Sequence, residues 1–315
     1  MPCSAVTEDA VSSQSTTKQN LIAGAILVLG SVLFSAKAIM VKLALPYGID
    51  PVGLLLLRLG LAAPFYIAIL VWVKARADRP LQIRANAISI FWLGFVGYYL
   101  ASYLDFVGLT YIPASLERVI LYLFPTMVLL ISAVFLKQPI RLHQMVAIAL
   151  CYGGVFVAVR FGDQQTAANH QWFGVGLVFL SALTYSIYVV GSGQLIPKLG
   201  VWVFTSCAMI VSTFCIVVHH VLSQSSVELF QFPWPVYAYG LAMATVGTVI
   251  PSFLISEGIK RIGASNASII GGIGPISTII LAAIILGERF TIAQAIGTSF
   301  VIAGVLYISL NMKRS

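Results

Sequence analysis

The sequence predicts an all-α integral membrane protein: ten transmembrane helices arranged as two inverted five-helix repeats. Three observations predict it. The 315-residue chain is 59% hydrophobic and only 9% charged, with a mean hydropathy of +0.98, whereas a soluble domain is about a quarter charged. Its apolar runs are about 20 residues long, the length that crosses a bilayer as a helix, and not the alternating ten-residue segments of a barrel. Lastly, the chain repeats itself. Advanced by 150 positions, Gly108, Ala114, Ser115, Ile120, Pro125, Ala133, Leu136, Gln144, Gly154 and Val155 become Gly258, Ala264, Ser265, Ile270, Pro275, Ala283, Leu286, Gln294, Gly304 and Val305. A mid-helix proline and flanking small residues shared in one ungapped register argue for an internal duplication.

Residues 1–20 are rich in Ser, Thr and Gln and predict a disordered tail. Leu21–Leu43 is the first span. A signal peptide competes there, because Ala36-Lys37-Ala38 looks like a cleavage site, but Glu8 and Asp9 against a single Lys18 make a poor basic leader. Leu29, Phe34 and Ser35 find partners in Leu180, Tyr185 and Ser186 of the second half. The further spans are Pro51–Val73, Ala85–Gly108, Pro113–Leu136, Leu142–Arg160, Trp172–Leu195, Val201–Leu222, Trp234–Glu257, Gly263–Leu286 and Ile292–Asn311. The repeats therefore cover 21–160 and 171–311. Five spans per copy is an odd number, so the second copy sits upside down in the bilayer.

Lys and Arg set the orientation. With the N-terminus in the cytoplasm, the inner segments hold Lys18, Lys74, Arg76, Arg79, Arg84, Lys137, Arg141, Lys198, Lys260, Arg261, Lys313 and Arg314, and the outer loops hold Arg160 and Arg289. Twelve against two predicts that both termini are cytoplasmic. The net charge of +8 thus reports topology and not a nucleic-acid partner. Cys3, Cys151, Cys207 and Cys215 show no CxxC spacing, so neither a metal site nor a disulfide framework is expected.

This architecture resembles the drug/metabolite transporter superfamily, specifically its EamA-like family. The stretches 34–42 (FSAKAIMVK), 58–62 (RLGLA), 101–106 (ASYLDF) and Gly287-Glu288 look like that family's recurring segments. The resemblance covers Leu21–Asn311 and implies alternating-access transport of a small metabolite. It implies a central cavity lined mainly by helices one to four and six to nine, with the fifth and tenth at the periphery. Members are associated with amino acids, purines, organic anions and drugs, so the resemblance fixes no substrate. The expected location is the bacterial inner membrane.

A charge inside a membrane helix is costly unless paired or hydrated. Lys37, Lys42, Arg58, Asp105, Glu117 and Arg118 all fall in the outer half of the first repeat; at the 150 offset Arg58, Glu117 and Arg118 meet only Ala208, Ala267 and Ser268. Three readings stay open: salt bridges of Asp105 or Glu117 with Arg58 or Arg118, a basic site for an anionic substrate, or a coupling proton on Asp105 or Glu117. Polar and aromatic residues recur at helical spacing: Gly94, Tyr98, Ser102 and Asp105, with Tyr99 beside them; Arg118, Tyr122 and Pro125; Ser181, Tyr185, Tyr188 and Ser192; Thr245, Thr248, Ser252 and Ser256; Ser265, Ser268, Gly272 and Pro275, with Asn266 beside them. Small and hydroxyl residues serve helix packing first, but five such faces together describe a cavity wall. The expected substrate-binding set is Lys37, Arg58, Tyr98, Tyr99, Ser102, Arg118, Tyr122, Tyr185, Tyr188, Ser252, Asn266 and Ser268. Asp105, Glu117 and Glu257 are expected to couple protons or gate, although Glu257 is also spaced for a local ion pair with Lys260 and Arg261. Pro125 and Pro275 are expected hinges, since a mid-helix proline removes a backbone bond and kinks the helix.

The expected function is secondary active export of a small organic metabolite, with a proton as a candidate coupling ion. The alternatives are a lipid or lipid-linked sugar flippase and a multidrug exporter. A channel lacks a filter motif or charge ring. An intramembrane enzyme lacks HExxH and lacks a histidine beside Gly191-Ser192-Gly193. No P-loop pattern is present, and no cofactor is expected. The expected partners are a small-molecule substrate, the lipid bilayer and a coupling proton, with the chain as a monomer or homodimer.

Overall fold

The computed structural model describes the backbone of residues 5–77, 81–137, 139–161, 170–223, 231–270 and 274–312. Side chains are described over the same stretches between Ile22 and Tyr307, except at 264–266, 268, 269 and 275. The described residues are helical, without strands. Helix α1 is Ala5–Ala44, α2 Pro51–Ala75, α3 Arg84–Tyr111, α4 Ala114–Phe135, α5 Leu142–Phe161, α6 Gln171–Leu199, α7 Val201–Leu222 and α8 Trp234–Gly263. Helix α9 covers 264–270 and resumes as Gly274–Leu281 and Ala282–Leu286, and α10 is Ile292–Met312. Eight of these are long and apolar enough to cross a membrane, and two shorter apolar helices, Ile276–Leu286 and Ile292–Tyr307, complete the predicted ten. The backbone helix of α1 begins inside the stretch whose composition predicts a tail, upstream of the apolar span starting at Ile22.

The boundaries follow local chemistry. Asp50 caps α2 by accepting from the Gly53 N–H, and Pro51 opens the helix where its missing N–H costs nothing. Gly263 separates α8 from α9 with φ +80°, a conformation that only glycine adopts freely. Helix α8 runs past the expected end at Glu257 to Gly263, and Glu257 and Arg261 bridge successive turns of that extension.

The duplication is visible in the packing. Helix α1 lies along α8 and α9, and α6 lies correspondingly along α3 and α4; α2 pairs with its twin α7, and α5 with its twin α10. Gly258 leaves room for Leu27 just as Gly108 leaves room for Val178. Ser35 Oγ donates to the Ser31 carbonyl (2.7 Å) and to the Gly274 carbonyl on α9 (3.0 Å). Its twin Ser186 donates to the Ala182 carbonyl (2.6 Å) and to the Phe124 carbonyl on α4 (3.2 Å). On the α5–α10 seam, Cys151 Sγ meets the carbonyl of Val301, its own repeat partner, at 3.5 Å, and Gly154 and Gly297 bring the two backbones together. Small residues at helix contacts are what a lipid-embedded bundle requires, because packing and not hydrophobic collapse holds it together.

Two further local features repeat at the same offset. Both α3 and α8 contain one widened turn of π-helix, at Phe95–Leu100 and at Thr245–Val249. The ends of α4 and α9 turn through left-handed residues, Lys137 at φ 53° and Gly287 at φ 65°.

Candidate functional site

Six helices enclose a cavity of about 100 Å³ at the meeting of the two repeats. At roughly 10–15 Å³ per water, that is room for about seven to ten non-hydrogen atoms. Helix α1 contributes Leu27, Ser31, Phe34 and Lys37, and α3 contributes Gly97, Tyr98, Ser102 and Asp105. Helix α4 contributes Arg118, Leu121, Tyr122 and Phe124; Ser181, Tyr185 and Val189 face it from α6, and Ile255, Ile259 and Ala267 from α8 and α9. The wall is therefore mostly apolar and aromatic, with its charges at one place, the pattern of a small-molecule site.

The π-turn of α3 supplies the geometry. It adds a residue to the turn and re-aims the side chains after it, setting Tyr98, Ser102 and Asp105 toward the cavity. Gly97, inside that turn, is pressed against the Tyr188 side chain so closely that a Cβ would have no space. The Tyr98 and Tyr188 rings then meet at a tilt, with centres 4.7 Å apart, and share a hydrogen bond of 3.0 Å between their hydroxyls. Tyr185 stacks on Tyr188 in turn, at 5.8 Å.

The break in α4 supplies the rest. Its helix stops at Leu121 and restarts at Phe124, with Pro125 in the first turn of the second segment. The proline's missing N–H and its ring evict the turn before it, and Thr126 Oγ1 donates to the Leu123 carbonyl at 2.7 Å. The serine bonds described above land on the residues immediately before each repeat's proline, Phe124 and Gly274. The break in α4 is thus anchored to the first helix of the opposite repeat, and Gly274 of α9 is held in the same way by α1.

The ionic groups sit where these features converge. Lys37 Nζ and Asp105 Oδ2 form a buried ion pair at 2.5 Å, and the ammonium also lies over the Phe34 and Phe106 rings at 4.9 and 5.7 Å. Glu117 is fully buried behind the wall, as is Asp105. Both Glu117 oxygens and Asp105 Oδ1 find no donor among the described residues. Arg118 Nε lies 3.5 Å from Oε2 of its neighbour Glu117, and its Nε and Nη2 make no hydrogen bond among the described residues.

Of the expected substrate-binding residues, Lys37, Tyr98, Ser102, Arg118, Tyr122 and Tyr185 line the cavity. Tyr188 stands one layer behind Tyr98. Arg58 is also behind the wall. It makes no ion pair with Asp105 or Glu117 among the described residues; it donates to Thr248 Oγ1 (2.6 Å) and Ser102 Oγ (3.2 Å). Tyr99 turns away, to His219 Nδ1 at 2.8 Å. The hydroxyl face of α8 does not line the cavity either. Three members are consumed by buried partners, Thr248 by Arg58, Ser252 by Tyr66 (2.8 Å) and Ser256 by Thr205 (2.8 Å), and Thr245 donates to the Leu241 carbonyl of its own helix. Glu257 pairs with Arg261 at 2.7 Å, partly exposed and away from the cluster. The side chains of Asn266, Ser268 and Pro275 lie outside the described residues.

Sequence reasoning missed one device. Glu288, from the loop between α9 and α10, accepts from the Ala114 N–H (2.8 Å) and the Ser115 N–H (2.9 Å). A carboxylate from the second repeat thereby caps the N-terminus of α4 in the first, where the helix dipole favours negative charge. The quoted Gly287-Glu288 pair was its only trace in the sequence. The π-turns also left a signal, since Val96-Gly97 and Val246-Gly247 match at the 150 offset.

The sequence signature of the EamA-like transporter family matches residues 22–160 and again 172–310. The chain is 31% identical over 294 residues to a Bacillus subtilis (strain 168) protein named uncharacterized transporter YcbK, covering 90% of this chain and 92% of that one. It is 27% identical to a second protein of that organism, uncharacterized transporter YyaM, over 80% of this chain and 82% of the other. A crystal structure with 18% sequence identity superimposes with a TM-score of 0.65 over 93% of this chain and 98% of that one, which establishes likeness of fold. Two tandem family matches over the two packed halves, and a relative of this similarity along nearly its whole length, place the chain as a multi-pass membrane protein in the EamA-like transporter family.

Proposed function

We propose that the chain is a secondary transporter that moves a small organic metabolite by alternating access through the cavity between its repeats. The observation that carries this reading is that cavity: it is bounded by both repeats, and α4, broken before Pro125, and α9, at Gly274, are each held by a serine from the first helix of the opposite repeat. Exchanging the two repeats' conformations would open it to one face of the membrane and then to the other. The asymmetry of twelve inner to two outer basic residues supports cytoplasmic termini.

We further assign the coupling ion as a proton held between Asp105 and Glu117. Lys37 satisfies one Asp105 oxygen, and the other, with both Glu117 oxygens, finds no donor among the described residues; a proton shared between the two acids would supply one, because an ionised carboxylate only accepts. Counterflow in proteoliposomes tests both parts. A panel of anionic, zwitterionic, cationic and neutral metabolites is exchanged against its radiolabelled members, and an imposed pH gradient should drive accumulation of the active one. Exchange no faster than in protein-free liposomes for every class would refute transport. Gradient-driven accumulation that persists undiminished in Glu117→Gln would refute the proton site and leave transport standing.

A further inference from the structure

The buried charges do not balance. Lys37, Arg58 and Arg118 are all buried, and so are Asp105 and Glu117. Among the described residues, three buried cations against two buried carboxyls leave one formal positive charge, and a shared proton on the carboxyls leaves more. A net charge at membrane depth is unfavourable without a counter-ion. The remaining acidic residues whose side chains are described are engaged elsewhere: Glu257 holds Arg261 and Glu288 caps α4, and Asp50 caps α2.

The three cations differ in what they have left to give. Lys37 is engaged by Asp105. Arg58 spends its donors on Thr248 and Ser102 and does not line the cavity. Arg118 lines the cavity, is 6% exposed, and keeps two nitrogens without a hydrogen bond among the described residues. Its one ion-pair contact, Nε to Glu117 Oε2, is long at 3.5 Å, and a guanidinium with donors still unfilled matches the two oxygens of a carboxylate. Around it, Phe34, Tyr98, Tyr122, Phe124 and Tyr185 line the same space, and these rings suit a flat or apolar body.

We infer that the cavity takes a monoanionic organic acid, its carboxylate docked on Arg118 and its aromatic or apolar body held among the Phe34, Tyr98, Tyr122, Phe124 and Tyr185 rings. This rests on the transport reading of the same cavity. It goes further in naming the charge of the cargo: the anion supplies the missing counter-charge, so the loaded cavity is nearer neutrality than the empty one. Lys37 and Arg58 hold the surrounding wall and do not touch the carboxylate.

Benzoate, benzamide and benzylamine share one ring and carry charges of minus one, zero and plus one. Their binding to the purified full-length protein is measured by thermal shift and by titration calorimetry, and their exchange by counterflow. Benzoate is expected to bind and raise the unfolding midpoint, with benzamide and benzylamine weaker by about 10- to 100-fold, the factor expected for losing a charge-assisted hydrogen bond. Arg118→Gln should lose benzoate binding by a similar factor, and Arg118→Lys should recover part of it. Equal binding of all three, or binding of none, overturns the inference. So does Arg118→Gln binding benzoate as the native protein does. If Arg118→Gln does not fold, the three-way comparison on the native protein still decides. Exchange of benzylamine or benzamide without benzoate would overturn the anion assignment while leaving transport intact; the transport reading fails only if no class of solute exchanges.

Discussion

Breaking the Lys37–Asp105 pair should be costly, and removing it whole should not. At 2.5 Å, the direct attraction is about 6–7 kcal/mol at an effective dielectric of 20. Much of that offsets the desolvation of two ions taken out of water. What survives is best seen by removing one partner. Lys37→Met keeps most of the stem but strands Asp105 beside Glu117, and Asp105→Asn strands a buried ammonium among the Phe34 and Phe106 rings. Each single change should cost about 3–5 kcal/mol, the range for orphaning one member of a buried pair. The double variant carries neither stranded charge and should cost clearly less than the sum, by about 3 kcal/mol. Thermal unfolding of the four proteins in one detergent reads the cycle. At roughly 2–4 °C per kcal/mol, the non-additivity should be about 6–12 °C. Additivity within about 0.5 kcal/mol would refute the pair as an interacting unit and with it the account of this end of the cavity. The Glu257–Arg261 pair is a control: partly exposed and spaced i,i+4, it should couple by only about 0.3–0.5 kcal/mol.

The pseudo-symmetry makes further paired predictions. Gly97→Ala drives a methyl into the Tyr188 side chain and should cost about 1–3 kcal/mol, whereas a methyl at the twin Gly247 stands 3.7 Å from Lys37 Cβ and should change the unfolding midpoint little. Ser35→Ala and Ser186→Ala should each cost about 0.5–1.5 kcal/mol, and both should alter the counterflow rate, because each serine ties its helix to the residue before the opposite repeat's proline; unchanged rates in both would remove these two ties from the transport cycle. Glu288→Ala should destabilise by about 0.5–2 kcal/mol, the value of a helix cap, and Glu288→Gln should recover part of it; equal behaviour of the two would show that the carboxyl group's acceptors are not what matters there.

Fold and repeat were legible because lipid makes them so. A span must be apolar over its whole length, and a duplicated span keeps its proline and its small residues in register, as at Pro125 and Pro275. The charged cluster was legible for the same reason: Lys37, Arg58, Asp105, Glu117 and Arg118 stand out against an apolar background. Which of them pair was not legible. Helical spacing places Asp105 on a face but does not say that Lys37, from α1, crosses to it, nor that Arg58 turns to two hydroxyls. The α8 hydroxyls misled for a related reason. A row of Ser and Thr at helical spacing reads equally as a cavity wall or as partners for buried donors, and the partners, Arg58, Tyr66 and Thr205, lie far away in sequence. Tyr99 shows the limit of periodicity near a π-turn, where one added residue redirects every side chain after it. The Glu288 cap depends on a contact between loops of different repeats, which no local pattern encodes.

The central claim is that the cavity between the repeats is the site a solute occupies while access alternates. Ser31 lines that cavity from α1. In a protein freed of its native cysteines and reconstituted in proteoliposomes, Ser31→Cys can be challenged with a membrane-impermeant thiol reagent from outside or from within. Alternating access predicts labelling from either face, inhibition of counterflow by that labelling, and protection from both faces by the transported solute. Labelling from one face alone under every condition, or full counterflow after labelling, would contradict it.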